Sequence, residues 1–186
     1  MYERTIKGAY IMGENPAMSD PDQNHTREAL SRLEHLVVQD IFLTETAAFA
    51  DVILPATAFP EKDGTFTNTD RRVQLGRRAV PAPGEAKQDW WIIQEIAQRM
   101  GLSWNYTEPK DIFAEMRQVM PSLTGITWDR LERESAVTYP CEDEFSEGQS
   151  VIFADGYPTE SGRGKLVPCD IPVSYTHLTL PTKRIV

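Results

Sequence analysis

Residues 37–74 read VVQDIFLTETAAFADVILPATAFPEKDGTFTNTDRRVQ, and their pattern changes once along the way. As far as Pro55, short apolar runs alternate with cap-forming polar stretches. Leu36–Gln39 reads as a buried strand, Thr44 is placed to cap a short helix through Glu45, Thr46 and Ala47, and Asp51–Leu54 reads as a strand stopped by Pro55. Upstream, the apolar run Gly8–Met12 before the Gly-Glu-Asn-Pro break reads as another buried strand. Between them, Asp20–Thr26 offers N-caps for a helix with Ala29, Leu30 and Leu33 at helical spacing. Strand, helix, strand, helix, strand predicts an α/β fold, the Rossmann-like half of a parallel sheet with right-handed crossovers.

From Phe59 the character becomes that of a hairpin. Thr65–Thr67 faces Arg71–Gln74 across Asn68, Thr69 and Asp70. Pro81–Gly84 reads as a linker. Asp89–Met100 reads as a helix with Ile92, Ile93, Ile96, Ala97 and Met100 on one face and Gly101 as its stop. A further helix starts near Pro109 with Ile112, Phe113, Met116 and Val119 inward, and Thr127 caps a short one through Leu131. Ser150–Ala154 and Lys165–Val167 are expected to pair as strands around a turn-rich link.

The 186 residues carry a formal net charge of -9. That balance argues against a nucleic-acid partner, which needs clustered Lys and Arg. Cys141 and Cys169 lie far apart, and with His25, His35 and His177 they show no zinc or iron–sulfur spacing, so no metal ligand is expected in this stretch. His25 and His35 read as surface residues. No run approaches the roughly 18 apolar residues of a membrane span, and Met1–Lys7 lacks a signal peptide's apolar core, which makes a cytoplasmic location the default. Val173–Val186 (VSYTHLTLPTKRIV) resembles the translation of a sequencing-library transposon adapter read in frame, and is set aside. Without its Lys183 and Arg184 the formal charge moves from -9 to -11.

In a parallel sheet, ligands gather at the carboxyl ends of the strands, where loops and helix N-termini present unpaired N–H groups. Gly13–Ser19, Gln39–Thr44 and Pro55–Thr57 should line one such edge and suit a nucleotide-like ligand. Gly13 lets backbone approach a phosphate, and Asn15 and Ser19 can donate and accept. Gln39 and Asp40 stand at a strand end, where a carboxylate binds ribose hydroxyls or guanine N–H groups, or merely caps the turn that follows. Each has a plainer structural reading. Asp89 at a helix head is favoured there by the dipole alone, and the pairs Arg71, Arg72 and Arg77, Arg78 are either anion neutralisers or solvated hairpin charges.

Taken together, YIMGENPAMSDPD (residues 10–22), the 37–74 string and DWWIIQEIAQRMG (89–101) resemble the catalytic subunits of molybdenum or tungsten formate dehydrogenases, in the molybdopterin oxidoreductase family. The likeness runs from about Ile6 to about Asp170, with Asp63 and Asp70 standing where most relatives are expected to carry Glu. It implies that this stretch helps to hold one of two molybdopterin guanine dinucleotides. Asn15, Ser19, Gln39 and Asp89 match positions that contact a dinucleotide, with Gly13, Asp40 and Thr44 as neighbours in the same loops.

The resemblance further implies a fragment, with no catalytic residue and no activity of its own, of a subunit that oxidises formate to CO2. The molybdenum or tungsten, its cysteine or selenocysteine ligand and a 4Fe-4S cluster would be held outside this stretch, by the rest of the same subunit. Electron-transfer subunits would be the other partners. The expected division is a Rossmann-like cofactor portion at 1–58, a hairpin and linker packing toward the cluster domain at 59–87, and a helix returning to the Rossmann-like portion at 88–109. A helical and linker region at 110–172 and the foreign tail at 173–186 complete it. Nitrate reductases and the large subunit of NADH-quinone oxidoreductase share the ADVILPA-type and EGTFTN-type strings, so a sister enzyme is one alternative. A nucleotide-binding or interaction module without chemistry is another.

Overall fold

Gly8–Met12 forms β1, His35–Asp40 forms β2 and Val52–Pro55 forms β3 in a computed structural model that describes residues 1–168. The three strands make one parallel sheet in the order β1-β2-β3, with Met12 beside Gln39 and Gln39 beside Leu54. The expected α/β character and parallel pairing are therefore present. Pro55, expected to stop β3, is its last paired residue, beside Asp40. On this edge strand a missing N–H breaks no inner ladder.

The connection from β1 to β2 carries a short helix, α1 (Pro16–Ser19), which the sequence reading did not anticipate, and then α2 (Gln23–Ser31). Pro16 suits the first helical position because its absent N–H would be unpaired there anyway. Asp22 caps α2 by accepting from the backbone N–H of His25 at 3.0 Å. Ala17, Leu30, Leu36, Val38 and Ala47 form the core between helices and sheet, with Ile11, Leu33 and Phe49 packed against it. His25 and His35 are exposed, His25 stacked on the Tyr2 ring at 4.4 Å.

The second unit is built differently. Gly64–Thr67 (β4) and Arg72–Gly76 (β5) form the expected antiparallel hairpin. The long helices α3 (Asp89–Arg99) and α4 (Pro109–Val119) also appear where expected. Thr127 caps α5 (Trp128–Glu134), its hydroxyl accepting from the Arg130 backbone N–H at 3.0 Å. Val73, Phe113, Leu123, Ile126, Leu131, Val137 and Cys141 form this unit's core.

Two expectations fail here. Ser150–Ala154 and Lys165–Val167 form no strands; the third strand of the second sheet is Ala136–Thr138 (β6), paired to the outer edge of β5. The turn formers between them do close a loop, with the Tyr157 N–H donating to the Gly162 carbonyl at 3.1 Å, but no ladder flanks it. In α4 only Phe113 is buried, while Met116 is 38% and Val119 73% exposed. Helical spacing marks a stripe, but the core closes around Phe113, edge-to-face with Trp128, and leaves the last turns of that stripe at its rim.

Among the described residues the first unit comprises 1–57, 84–87 and 167–168, and the second comprises 58–83 and 88–166. The adapter-like string lies outside the described residues. Among the described residues no helix is long and apolar enough to cross a membrane.

Candidate functional site

The first unit places six of the seven expected site residues at the carboxyl ends of β1 and β2. Gly13 extends the ladder by one bond, its N–H donating to the Gln39 carbonyl at 2.9 Å, and then turns the chain with φ of 64°. That left-handed conformation costs a side-chain-bearing residue roughly 1–2 kcal/mol, which is why glycine stands there. Asn15 follows at the head of α1. Its Oδ1 accepts from the Thr46 N–H at 3.1 Å and from the Thr46 hydroxyl at 2.8 Å, while its Nδ2 donates to Glu45 Oε2 at 2.7 Å. Ser19, at the end of α1, is exposed.

At the end of β2, the Gln39 side chain is fully buried and accepts from the Tyr10 hydroxyl. Asp40 Oδ1 accepts from the N–H groups of Ile41 at 2.7 Å and Phe42 at 3.2 Å. This turn leaves Ile41, Phe42 and Leu43 on the surface, Phe42 73% and Leu43 82% exposed. Thr44, expected to cap the next helical turn, accepts from the Ala47 N–H at 3.2 Å. That turn is a 3-10 helix over Ala47–Phe49. The third segment of the edge, beyond β3, ends in Thr57. Its N–H donates to the Lys87 carbonyl at 3.0 Å, and its hydroxyl oxygen is buried without a hydrogen-bond partner among the described residues.

The two loops of this edge carry only acidic charges of their own, with Arg27 of α2 bonded to the Ala17 carbonyl and Lys87 joined through its backbone to Pro55 and Thr57. Residues 13–20 and 40–46 carry Glu14, Asp20, Asp40 and Glu45 and no Lys or Arg. The Asn15 hydrogen bond, with a smaller pull from the Arg27 charge, holds the Glu45 carboxyl below its ordinary value and keeps it anionic. Such an edge favours hydrogen-bond donors over free anions.

Asp89, the seventh residue, belongs to the second unit. It stands in the first turn of α3 and accepts from Lys62 Nζ. Both readings given for it from sequence stay open, since a carboxylate in an ion pair at a helix N-terminus has a structural reason to be there. The second unit also has a surface pocket of about 260 Å3 floored by Phe113 and Trp128. Among its charges Lys110 pairs with Asp129 at 2.7 Å and Arg117 with Glu144 at 3.8 Å, while Arg133 donates to the Asp129 carbonyl at 3.3 Å. Among the described residues no group of three or more His, Cys, Asp or Glu could hold a metal.

Sequence reasoning missed Thr46 and Tyr10, and had Thr57 only as the end of the third edge segment. Thr46 was read as a helix residue; nothing local distinguishes it from Thr44, and its burial is set by α1, a neighbour about thirty residues away in sequence.

Comparison with known proteins bears on this arrangement. A family model described as molybdopterin oxidoreductase matches residues 1–99. The chain is 52% identical over 169 residues to the F420-dependent formate dehydrogenase subunit alpha of Methanocaldococcus jannaschii, covering 90% of this chain and 25% of that one. It is 43% identical over 176 residues to the putative formate dehydrogenase YrhE of Bacillus subtilis, covering 93% and 18%. The chain thus spans about a quarter or less of the length of these curated relatives. Among solved structures, acetylene hydratase from Pelobacter acetylenicus matches with a TM-score of 0.62 at 24% identity, over 84% of this chain and 21% of that one, a likeness of fold alone.

Proposed function

Since the chain belongs to the molybdopterin oxidoreductase family, we propose that within a longer subunit it seats the nucleoside end of a molybdopterin guanine dinucleotide at the carboxyl edge of β1-β2-β3. One observation carries this reading: polar loops meet at the end of a parallel sheet and bring four carboxylates with no Lys or Arg. Guanine N–H groups and ribose hydroxyls are donors that carboxylates accept, whereas phosphates would be repelled and need cations or backbone N–H groups. In this reading Asp40 and Ser19 face the nucleoside. Gly13 lets the ligand approach the backbone, Gln39 and Thr44 fix the strand end and the turn, and Asn15 joins the loops. Asp89, in the second unit, is a separate dinucleotide contact on the strength of the resemblance alone.

The parent subunit's reaction is taken to be formate oxidation, because the relatives that cover most of this chain bear that name. The chemistry the cofactor supplies is a two-electron oxidation: formate gives up a proton and two electrons and leaves as CO2. This chain's residues bind and orient, and the molybdenum or tungsten and a 4Fe-4S cluster are assigned to other parts of a cytoplasmic subunit with electron-transfer partners. The test is to purify the full-length subunit and measure pterin nucleotide, metal and formate-dependent dye reduction. Asp40→Asn and Asp89→Ala are expected to lower pterin content. Unchanged pterin and metal content in Asp40→Asn would overturn the assigned edge, unchanged content in Asp89→Ala would overturn the role given to Asp89, and a loaded subunit inert to formate would overturn the substrate.

A further inference from the structure

We propose that Thr46 is a positioning residue that locks the loop after β1 to the segment after β2, so that the candidate edge forms as one platform. This rests on the functional reading above, but its structural basis stands apart from it. The Thr46 side chain is fully buried, and its hydroxyl is used twice: it accepts from the Ala17 N–H at 3.1 Å and donates to Asn15 Oδ1 at 2.8 Å. The Thr46 N–H closes on the same oxygen at 3.1 Å, and Asn15 Nδ2 donates to Glu45 Oε2 at 2.7 Å. Ala17 is itself fully buried, and its carbonyl accepts from Arg27 Nε at 2.8 Å, which carries the network onto α2.

The Thr46 hydroxyl and N–H, the Asn15 amide and the Ala17 N–H and carbonyl each have a partner from the other segment or from α2. At its centre Thr46 and Ala17 are buried, so losing the Thr46 hydroxyl strands the Ala17 N–H away from water, while Asn15, Glu45 and Arg27 reach the surface. Asn15, the residue expected to touch a ligand, thereby has its amide engaged in holding the two loops in register. A cofactor that uses both loops binds more tightly for their being fixed beforehand.

The experiment uses the full-length, pterin-loaded subunit. It reads the half-time of pterin loss on dialysis and the hydrogen exchange of residues 13–20 and 44–49. Thr46→Val, which keeps the shape and removes the hydroxyl, is expected to shorten the half-time about tenfold, the effect of one buried hydrogen-bond partner lost. It should raise exchange in both segments together, and Thr46→Ser should restore both readouts. Asn15→Asp sets a like charge against Glu45 and is expected to loosen both segments; adding Glu45→Gln should bring them back, a rescue that simple loss of packing would not give. Unchanged exchange in Thr46→Val, loosening of one segment alone, or no rescue by Glu45→Gln would overturn the lock. If Thr46→Val does not fold, the charge pair decides. Should the wild-type subunit carry no pterin, the functional reading fails, and the exchange measurements alone still judge the lock.

Discussion

Two buried polar side chains, one in each unit, are treated in opposite ways. In the second unit Arg130 is 4% exposed, yet its guanidinium donates to the carbonyls of Gly125 at 3.1 Å, Asp143 at 3.4 Å and Ser146 at 2.6 Å, and to Glu134 at 2.9 Å. Burial pulls against its charge, but the hydrogen bond and charge of Glu134, with Cys141 beside it, outweigh that pull and raise its pKa. In the first unit Thr57 is 1% exposed and its hydroxyl has no partner among the described residues. An unpaired buried hydroxyl costs free energy, and a natural fold keeps few of them without a reason. One unit satisfies its buried charge from within; the other ends its strands in polar loops, an idle hydroxyl and exposed apolar residues. That contrast is what the proposed reading expects of a unit whose strand ends meet a ligand.

The largest predicted effect breaks the self-sufficient side. Arg130→Met removes the donor for three carbonyls of the 125–146 region and should lower the local opening free energy there by about 3 kcal/mol, read as faster hydrogen exchange at residues 141–149. Lysine should not restore it, because one ammonium cannot span the acceptors that a guanidinium reaches. Exchange unchanged in Arg130→Met would mean that the loop is held by something else.

Gly125→Ala tests the same loop from its floor. A Cβ at that position would lie 2.1 Å from the Asp143 carbonyl oxygen, a backbone atom that cannot swing away. Overpacking of this kind typically costs about 1–3 kcal/mol, so a loss near 2 kcal/mol is expected in the same exchange window, with the first unit unaffected. Spread of the effect into residues 8–55 would break the separation on which the comparison rests.

How far the sequence carried the fold follows the range of the interactions involved. β1, β2, α3 and the β4-β5 hairpin were legible because each is marked by its own residues: an apolar run, a helical stripe closed by a glycine, a turn between β-formers. β6 was not. Three residues, Ala136–Thr138, give no period to read, and they become a strand only because β5 offers an open edge some sixty residues upstream in the chain. The site divides the same way. Gly13 and Asp40 were readable as loop residues at strand ends, whereas Thr46 owes its role to Ala17 and Asn15, about thirty residues away, and no pattern around it says so. Asn15 was legible as a polar loop residue able to donate and accept, but nothing near it in sequence shows that its amide bonds Glu45 and Thr46.

Gly13→Ala probes the loop after β1 with a smaller effect. Nothing lies within 4 Å of the added Cβ, so the cost is the positive φ alone, about 1 kcal/mol. Exchange should rise at residues 13–20 and leave 44–49 nearly unchanged, unlike Thr46→Val, which loosens both.

The smallest effect is a pH dependence in that same loop. Asn15 holds the Glu45 carboxyl below its ordinary value of 4.5, so the folded pKa is depressed. The stabilisation from that hydrogen bond is therefore complete above the unfolded value and fades as the pH falls through the lower folded one. Exchange at residues 13–20, corrected for its intrinsic pH dependence, should stay flat from neutral pH down to 4.5 and rise only below it. In Glu45→Gln, which keeps an acceptor for Asn15 but does not titrate, the rise should vanish. A rise that persists there would trace the acid sensitivity to another carboxylate of the edge, with Asp40, whose Oδ1 holds the Ile41 and Phe42 turn, as the next group to neutralise.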